Sequence, residues 1–406
     1  MPDRRWIAAA ALLMLAGCST GAPMDATTSA NNSSAIKSTS IHPTAPTSTP
    51  RTTPATTSTT PPASRTAAQV FAAMSEAQRV GQLLMVDCPS GYVADATVAA
   101  ITRDGVGSVI LDGTSDKSVS QTAAITAALQ QSAPASVQLF VSTDQEGGLV
   151  QRLQGPGFTR IPSAVDQGQT DPVDLRTATA AWATQLKAAG VNVDLGPVLD
   201  TVPTGGGSNP PIGDLDREYG STPAVVTSHG LAVLSGLTDA GVDATVKHFP
   251  GLGRVAGNTD TTSGVKDTIT TRIDPYLAPF AAAIKAGVPF VMMSTAIYTR
   301  IDPNNPAAFS RTILTGLLRN TLGFTGVVIS DDLGAAAQVA YLSPGQRAVA
   351  FVAAGGDMVL TVDATLAPEM TAALLTKANA DPAFKALVDA AARRVLQAKQ
   401  ARGLLH

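Results

Sequence analysis

The sequence predicts one (β/α)8, or TIM, barrel over residues 67–406, and three observations carry that expectation. Short apolar runs rich in Val and Ile alternate with longer alanine-rich stretches through the whole segment. The runs do not alternate polar with apolar residues, so they read as strands covered on both faces, as parallel strands are. Acidic and basic residues gather just after the runs, where a barrel brings its strand ends onto one rim. A doubly wound open sheet uses the same β–α alternation and is the competing arrangement.

The N-terminus decides which residues count toward the fold. Arg4 and Arg5 precede an apolar run from Trp6 to Leu15 that ends in Leu15-Ala16-Gly17-Cys18. A charged start, a short apolar core and a small-residue cleavage site make an export signal of residues 1–17. The run falls well short of the ~20 apolar residues a membrane-spanning helix needs. Leu-Ala-Gly-Cys resembles a bacterial lipobox, which implies that Cys18 becomes a lipidated N-terminus. That places the protein outside the cell, anchored on the outer face of the membrane. From Ser19 to Thr66 the chain is dominated by Ser, Thr, Pro and Ala, without a Phe, Trp or Tyr. Such a stretch buries too little apolar surface to offset its ordering entropy, so residues 18–66 are expected to be a disordered tether. Fully extended it spans on the order of 150 Å at ~3.3 Å per residue.

The chain has two cysteines, Cys18 and Cys88. With Cys18 lipidated, Cys88 has no partner and is expected to be buried as a small hydrophobe. A formal net charge of −3 without a basic cluster excludes a nucleic-acid partner. No Cys/His cluster suggests a metal, and no cofactor is expected. The barrel is expected to act as a monomer.

Along that barrel the strands are read near Gly81–Cys88, Val106–Leu111, Gln138–Thr143, Val191–Leu199, Ala244–His248, Pro289–Ser294, Gly326–Ser330 and Asp357–Val362. Helices between them include Asp174–Ala189, Ala224–Ala240, Tyr276–Ala286 and Arg311–Thr321. Asp144 and Glu146 then end the third strand, Asp200 the fourth, Lys247-His248 the fifth, Ser294 the sixth and Asp331-Asp332 the seventh. Any one of these fits a helix cap or a solvated loop charge. The whole set, delivered to one rim, fits a catalytic site.

Three segments carry chemistry. Asp144-Gln145-Glu146-Gly147-Gly148, followed by Arg152, pairs a close-approach glycine turn with groups that fork to sugar hydroxyls. Lys247-His248-Phe249-Pro250-Gly251-Leu252-Gly253 opens a strand into a Gly-rich loop. Val327-Val328-Ile329-Ser330-Asp331-Asp332 delivers two acids to the rim, and one carboxylate there can attack an anomeric carbon.

Together these segments resemble glycoside hydrolase family 3, in its single-domain β-N-acetylhexosaminidase branch. The likeness runs from about Val80 to at least Asp357 and includes Gly81-Gln82-Leu83-Leu84-Met85, Gly196-Pro197-Val198-Leu199-Asp200 and Ala354-Gly355-Gly356-Asp357-Met358. The branch fingerprint matches without a break from Lys247 to Gly253. The resemblance implies a retaining hydrolase of terminal β-linked N-acetylglucosamine, with cell-wall fragments as substrate. It implies that Asp331 is the nucleophile and that Asp144, Arg152, Arg217, Lys247 and His248 grip the sugar. Ile212–Glu218, which supplies Arg217, is longer than the family segment.

There is one departure. The family fingerprint continues with an Asp and a His, the general acid, where this chain has Asn258 and Asp260. The four histidines are His42, His229, His248 and His406, so the acid loop holds none. A carboxylic acid is the usual donor in glycoside hydrolysis, which makes Asp260 the candidate and Asp267 the next one. Asp332 is read as a cap or support for its neighbour. A sugar-binding protein without turnover, a phosphorylase and a β-glucosidase remain open as alternatives.

Overall fold

The computed structural model describes residues 65–406. The export signal, Cys18 and nearly all of the tether lie outside the described residues.

Eight parallel strands close on themselves. They are β1 (Leu84–Pro89), β2 (Ser108–Asp112), β3 (Phe140–Thr143), β4 (Val193–Asp194), β5 (Asp243–Phe249), β6 (Phe290–Met293), β7 (Val327–Asp332) and β8 (Met358–Thr361). Closure comes from β8 pairing with β1, with Leu84 opposite Val359 and Val86 opposite Thr361. An open doubly wound sheet has no such pair, so the barrel stands.

Each strand alternates between two apolar environments, which is why its sequence shows no polar alternation. Met85, Ile110, Phe140, Phe290, Met292, Val327, Ile329, Met358 and Leu360 fill the barrel interior as one cluster. Their neighbours Leu84, Val86, Val109, Val141, Val291, Val328 and Val359 point outward into the larger core shared with the helices. Phe140 and Phe290 meet edge to face across the interior, with centroids 5.2 Å apart. The C-terminal helix Pro382–Ala401 adds Val395 to the interior cluster, and the Leu404 that follows it joins too. Its Lys399 donates to Gln82 Oε1 at 2.8 Å and to the Gly107 carbonyl at 2.7 Å, which seals the end opposite the rim.

Local capping explains where the helices start. Asp171 accepts from the Val173 amide and begins Pro172–Ala188, while Thr222 begins Pro223–Ala240, which Gly241 ends at φ 77°. Two expectations change in detail. The fourth strand is only Val193–Asp194, because Pro197 has no N–H for a ladder. The stretch expected as a helix at Arg311–Thr321 is a helix, but of the wide π type over Thr312–Thr321. Periodicity reports the buried face, here Ile313, Leu314, Leu317 and Leu318, and is silent about the hydrogen-bond ladder behind it. Cys88 is buried, as expected. Among the described residues no helix is long and apolar enough to cross a membrane.

Candidate active site

A cavity of about 380 Å³ opens at the C-terminal rim, with Ile110, Leu195, Met292 and Leu360 from the barrel interior at its base. Asp144, Arg152, Arg217, Lys247, His248, Asp260 and Asp331 all line it. These seven predicted site residues therefore meet in one place.

Two strand irregularities make this possible. Adjacent residues of a regular strand point to opposite faces, so Lys247 and His248 cannot both face the cavity from an ideal β5. The register against β6 shifts between Val246 and Phe249, and both do. The same happens in β7, where the shift against β8 lies between Ile329 and Asp332 and leaves Asp331 and Asp332 both on the cavity wall.

The sugar-facing side is built around a buried charge network. Beyond β3 a hairpin pairs Gln145–Gly147 with Val150–Gln151. Gly147 turns it at φ 101°, and a Cβ there would lie 2.2 Å from the Pro162 carbonyl, so only glycine fits. The turn sends Glu146 inward, where its side chain is 5% exposed. Lys247 Nζ donates to Asp144 Oδ1 at 2.5 Å and lies 2.7 Å from Glu146 Oε1. Arg217 forks onto the same Glu146 carboxylate at 2.7 and 2.8 Å and donates to the Pro211 carbonyl at 2.7 Å. Burial by itself would raise the Glu146 carboxyl, but Arg217 and Lys247 outweigh it and hold the group well below the usual carboxylate range. Two cations thus face two anions, which is what lets Lys247 stay charged at 2% exposure. Beneath them, burial pushes the Asp194 carboxyl up to about 7, against the pull of the Gln145 amide and Lys247.

Arg217 reaches the cavity although its segment is longer than the family's. Gly213–Leu215 forms a short 3-10 turn and Asp216 takes a left-handed φ of 53°, which returns the chain to the wall. Arg152 is held more loosely, its Nε 3.7 Å from Asp112 Oδ1, too far for a hydrogen bond.

His248 is oriented by Asp200, which is fully buried. Asp200 accepts from His248 Nδ1 at 2.7 Å and from the Leu252 amide at 2.6 Å. With Nδ1 engaged by Asp200, Nε2 is the ring nitrogen left for a ligand. Neither Glu146 nor Asp200 was singled out as a site residue from the sequence. The signal for Glu146 was there, since it lies two positions after Asp144 and so on the same face of an extended chain.

On the opposite wall Asp332 accepts from the amides of Gly334, Ala335, Ala336 and Val362 at 2.7 to 3.1 Å. It is a cap, and Asp331 is the acid left to face the cavity. Asp260 projects from the loop after β5, where Asn258 Oδ1 accepts its amide at 2.9 Å and the Ala337 amide donates to its carbonyl at 3.0 Å. Its carboxyl keeps access to solvent at the mouth while the cavity walls strip part of its hydration. Desolvation first, and then the charge of Asp331, push it up to about 6. Asp267, the second candidate acid, is excluded by its place. It is fully buried, does not line the cavity, and accepts from the Ile269 and Thr270 amides and the Thr270 hydroxyl at 2.6 to 2.8 Å.

Residues 76–398 match the glycosyl hydrolase family 3 N terminal domain. The chain belongs to glycosyl hydrolase family 3. The β-hexosaminidase of Nitrosomonas eutropha is 36% identical over 285 residues, which cover 68% of this chain and 79% of that protein. Among solved structures, the β-N-acetylhexosaminidase from Beutenbergia cavernae superposes with a TM-score of 0.80 at 49% identity and covers 80% of this chain and 99% of its own. A family 3 β-N-acetylglucosaminidase from Paenibacillus sp. str. FPU-7 gives a TM-score of 0.76 at 33% identity, over 82% of this chain and 63% of its own. This family 3 member is a glycoside hydrolase, and its match takes in every strand of the barrel.

Proposed function

We propose that the protein is a retaining β-N-acetylhexosaminidase that removes terminal β-linked N-acetylglucosamine through a covalent intermediate on Asp331. The observation that carries this reading is the pairing of Asp331, free of the capping work done by Asp332, with a carboxyl of raised pKa, Asp260, in one cavity. The preference for N-acetylglucosamine is supported by the hexosaminidase relatives.

The cycle has two steps. Asp144, Arg152, Lys247, Arg217 and His248 grip the sugar hydroxyls, and Asp260 gives its proton to the glycosidic oxygen. As the C–O bond breaks, Asp331 bonds to the anomeric carbon from the opposite face. In the second step Asp260, now a carboxylate, takes a proton from water as that water attacks the anomeric carbon and Asp331 departs. Two inversions give retention. The charge on Asp331 helps Asp260 hold its proton before the first step. Ester formation consumes that charge, which lets the Asp260 carboxyl ionise and stand as the carboxylate when a base is needed.

The acceptor is water on the same argument. A phosphate anion entering after the first step would meet the Asp260 carboxylate, with Asp332 close behind it. A chromogenic N-acetylglucosaminide assayed with and without phosphate tests this reading. Free N-acetylglucosamine at a phosphate-independent rate is expected. Sugar 1-phosphate would make it a phosphorylase, a faster glucoside would make it a β-glucosidase, and binding without release would leave only a sugar-binding protein.

Cell-wall fragments fit as natural substrate because the N-terminus carries an export signal and a lipobox ending at Cys18. A lipid on Cys18 would keep the barrel at the outer face of the membrane on its tether. Cys18→Ala is expected to abolish labelling by a fatty-acid analogue in cells, and equal label in both forms would end the anchoring proposal.

A further inference from the structure

The loop that carries Asp260 is joined to the segment that carries Asp331 by two backbone hydrogen bonds and by one buried side chain. Gln338 is 3% exposed and lies in the 3-10 turn Ala337–Val339 that follows β7. Its Oε1 accepts from the Val265 amide at 2.9 Å, and its Nε2 donates to the Val265 carbonyl at 3.2 Å. Its own amide donates to the Thr259 carbonyl at 3.0 Å, beside the Ala337 amide that holds the Asp260 carbonyl at the same distance. On the nucleophile side the path is equally firm, since Asp332 fixes the amides of Gly334, Ala335 and Ala336. Asp331, Asp332, the turn, Gln338, Val265, Thr259 and Asp260 are therefore linked by a continuous path of covalent and hydrogen bonds. A loop with glycines at 251, 253, 257 and 264 has little stiffness of its own.

We infer that Gln338 is a positioning residue for the proton donor, clamping the Asp260 loop to the nucleophile segment so that the two carboxyls stay in register across the scissile bond. This rests on the reading of Asp260 as the acid. A displacement of about 1 Å at a reacting group costs on the order of 100-fold in rate. Protonation matters most where the leaving group is poor, so that is where release of the clamp is felt.

The test compares wild type, Gln338→Ala, Gln338→Met, Asp260→Ala and the Gln338→Ala/Asp260→Ala double variant, on aryl glycosides with good and poor leaving groups. Gln338→Met keeps the volume and removes both side-chain hydrogen bonds, which guards against a cavity that unfolds the loop. For both Gln338 variants we expect kcat on poor leaving groups to fall roughly 10- to 100-fold, with activated substrates changed less than about threefold. The basic limb of the pH profile should move to lower pH as Asp260 swings away from Asp331. In the Asp260→Ala background the Gln338 substitution should have no further effect, since it acts through that acid. Equal losses on good and poor leaving groups, a wild-type Gln338→Met, or additive effects in the double variant would overturn the clamp. If Asp260→Ala itself shows no leaving-group dependence, the acid assignment fails instead, and the two failures are told apart.

Discussion

Asp331→Ala will lose on the order of 10⁴-fold or more in kcat on any glycoside, about 5 kcal/mol of barrier. The size follows from the step it removes. Without this carboxylate the step loses its nucleophile, and the neighbouring Asp332 does not replace it because it spends its oxygens on four backbone amides. Folding should be spared, since among the described residues the Asp331 side chain accepts only the Asp332 amide, at 2.9 Å. Asp332→Ala should behave the other way, leaving four amides without their acceptor and lowering the melting temperature more than the chemistry requires. Thermal melts alongside single-turnover kinetics separate the two. An Asp331→Ala enzyme within tenfold of wild type on an activated substrate would refute the assignment.

The second large effect belongs to Asp260. Removing a general acid typically costs about 10²- to 10⁴-fold where the leaving group needs a proton. Asp260→Ala should reach that range on natural-type glycosides and stay close to wild type in the first step on activated aryl glycosides. Azide should restore turnover of activated substrates by attacking the intermediate without a base. The pH dependence carries the sign. Asp260 works protonated and Asp331 ionised, so with the Asp260 carboxyl at about 6 the rate of the first step should fall as pH rises above that value. This descending limb reports the interacting pair and should vanish in Asp260→Ala. Equal slowing of good and poor leaving groups, or an unchanged descending limb, would assign the proton to another residue.

Much of this site was legible from residue order because a (β/α)8 barrel maps strand ends onto one rim. Asp144, Lys247, His248 and Asp331 follow apolar runs in sequence, and in space they share a cavity. What the residue pattern left open depends on backbone irregularity. Period-two alternation would split Lys247 from His248 and Asp331 from Asp332, and only the register shifts in β5 and β7 bring each pair to one wall. The division of labour between Asp331 and Asp332 was expected from the family resemblance, and the fold of residues 332–336 supplies its physical reason, since the Asp332 carboxylate is the one that meets the turn amides. Glu146 was seen as a rim residue but not as the shared partner of Arg217 and Lys247, since that contact joins positions far apart in the chain. Asp200 was likewise seen only as a rim residue, its histidine lying on the next strand. Gln338 has no chemical signature in the sequence at all, and its interest comes wholly from lying between two loops.

The covalent intermediate is the centre of this account, and trapping tests it most directly. A 5-fluoro N-acetylglucosaminyl fluoride, or a 2-fluoro glycosyl inhibitor in which fluorine replaces the acetamido group, slows both steps while its good leaving group keeps the first one fast, so the sugar accumulates on its nucleophile. Digestion and mass spectrometry of the inactivated protein should find one sugar per chain, attached to Asp331. An adduct on Asp332, on Asp260 or on any other residue would contradict the account.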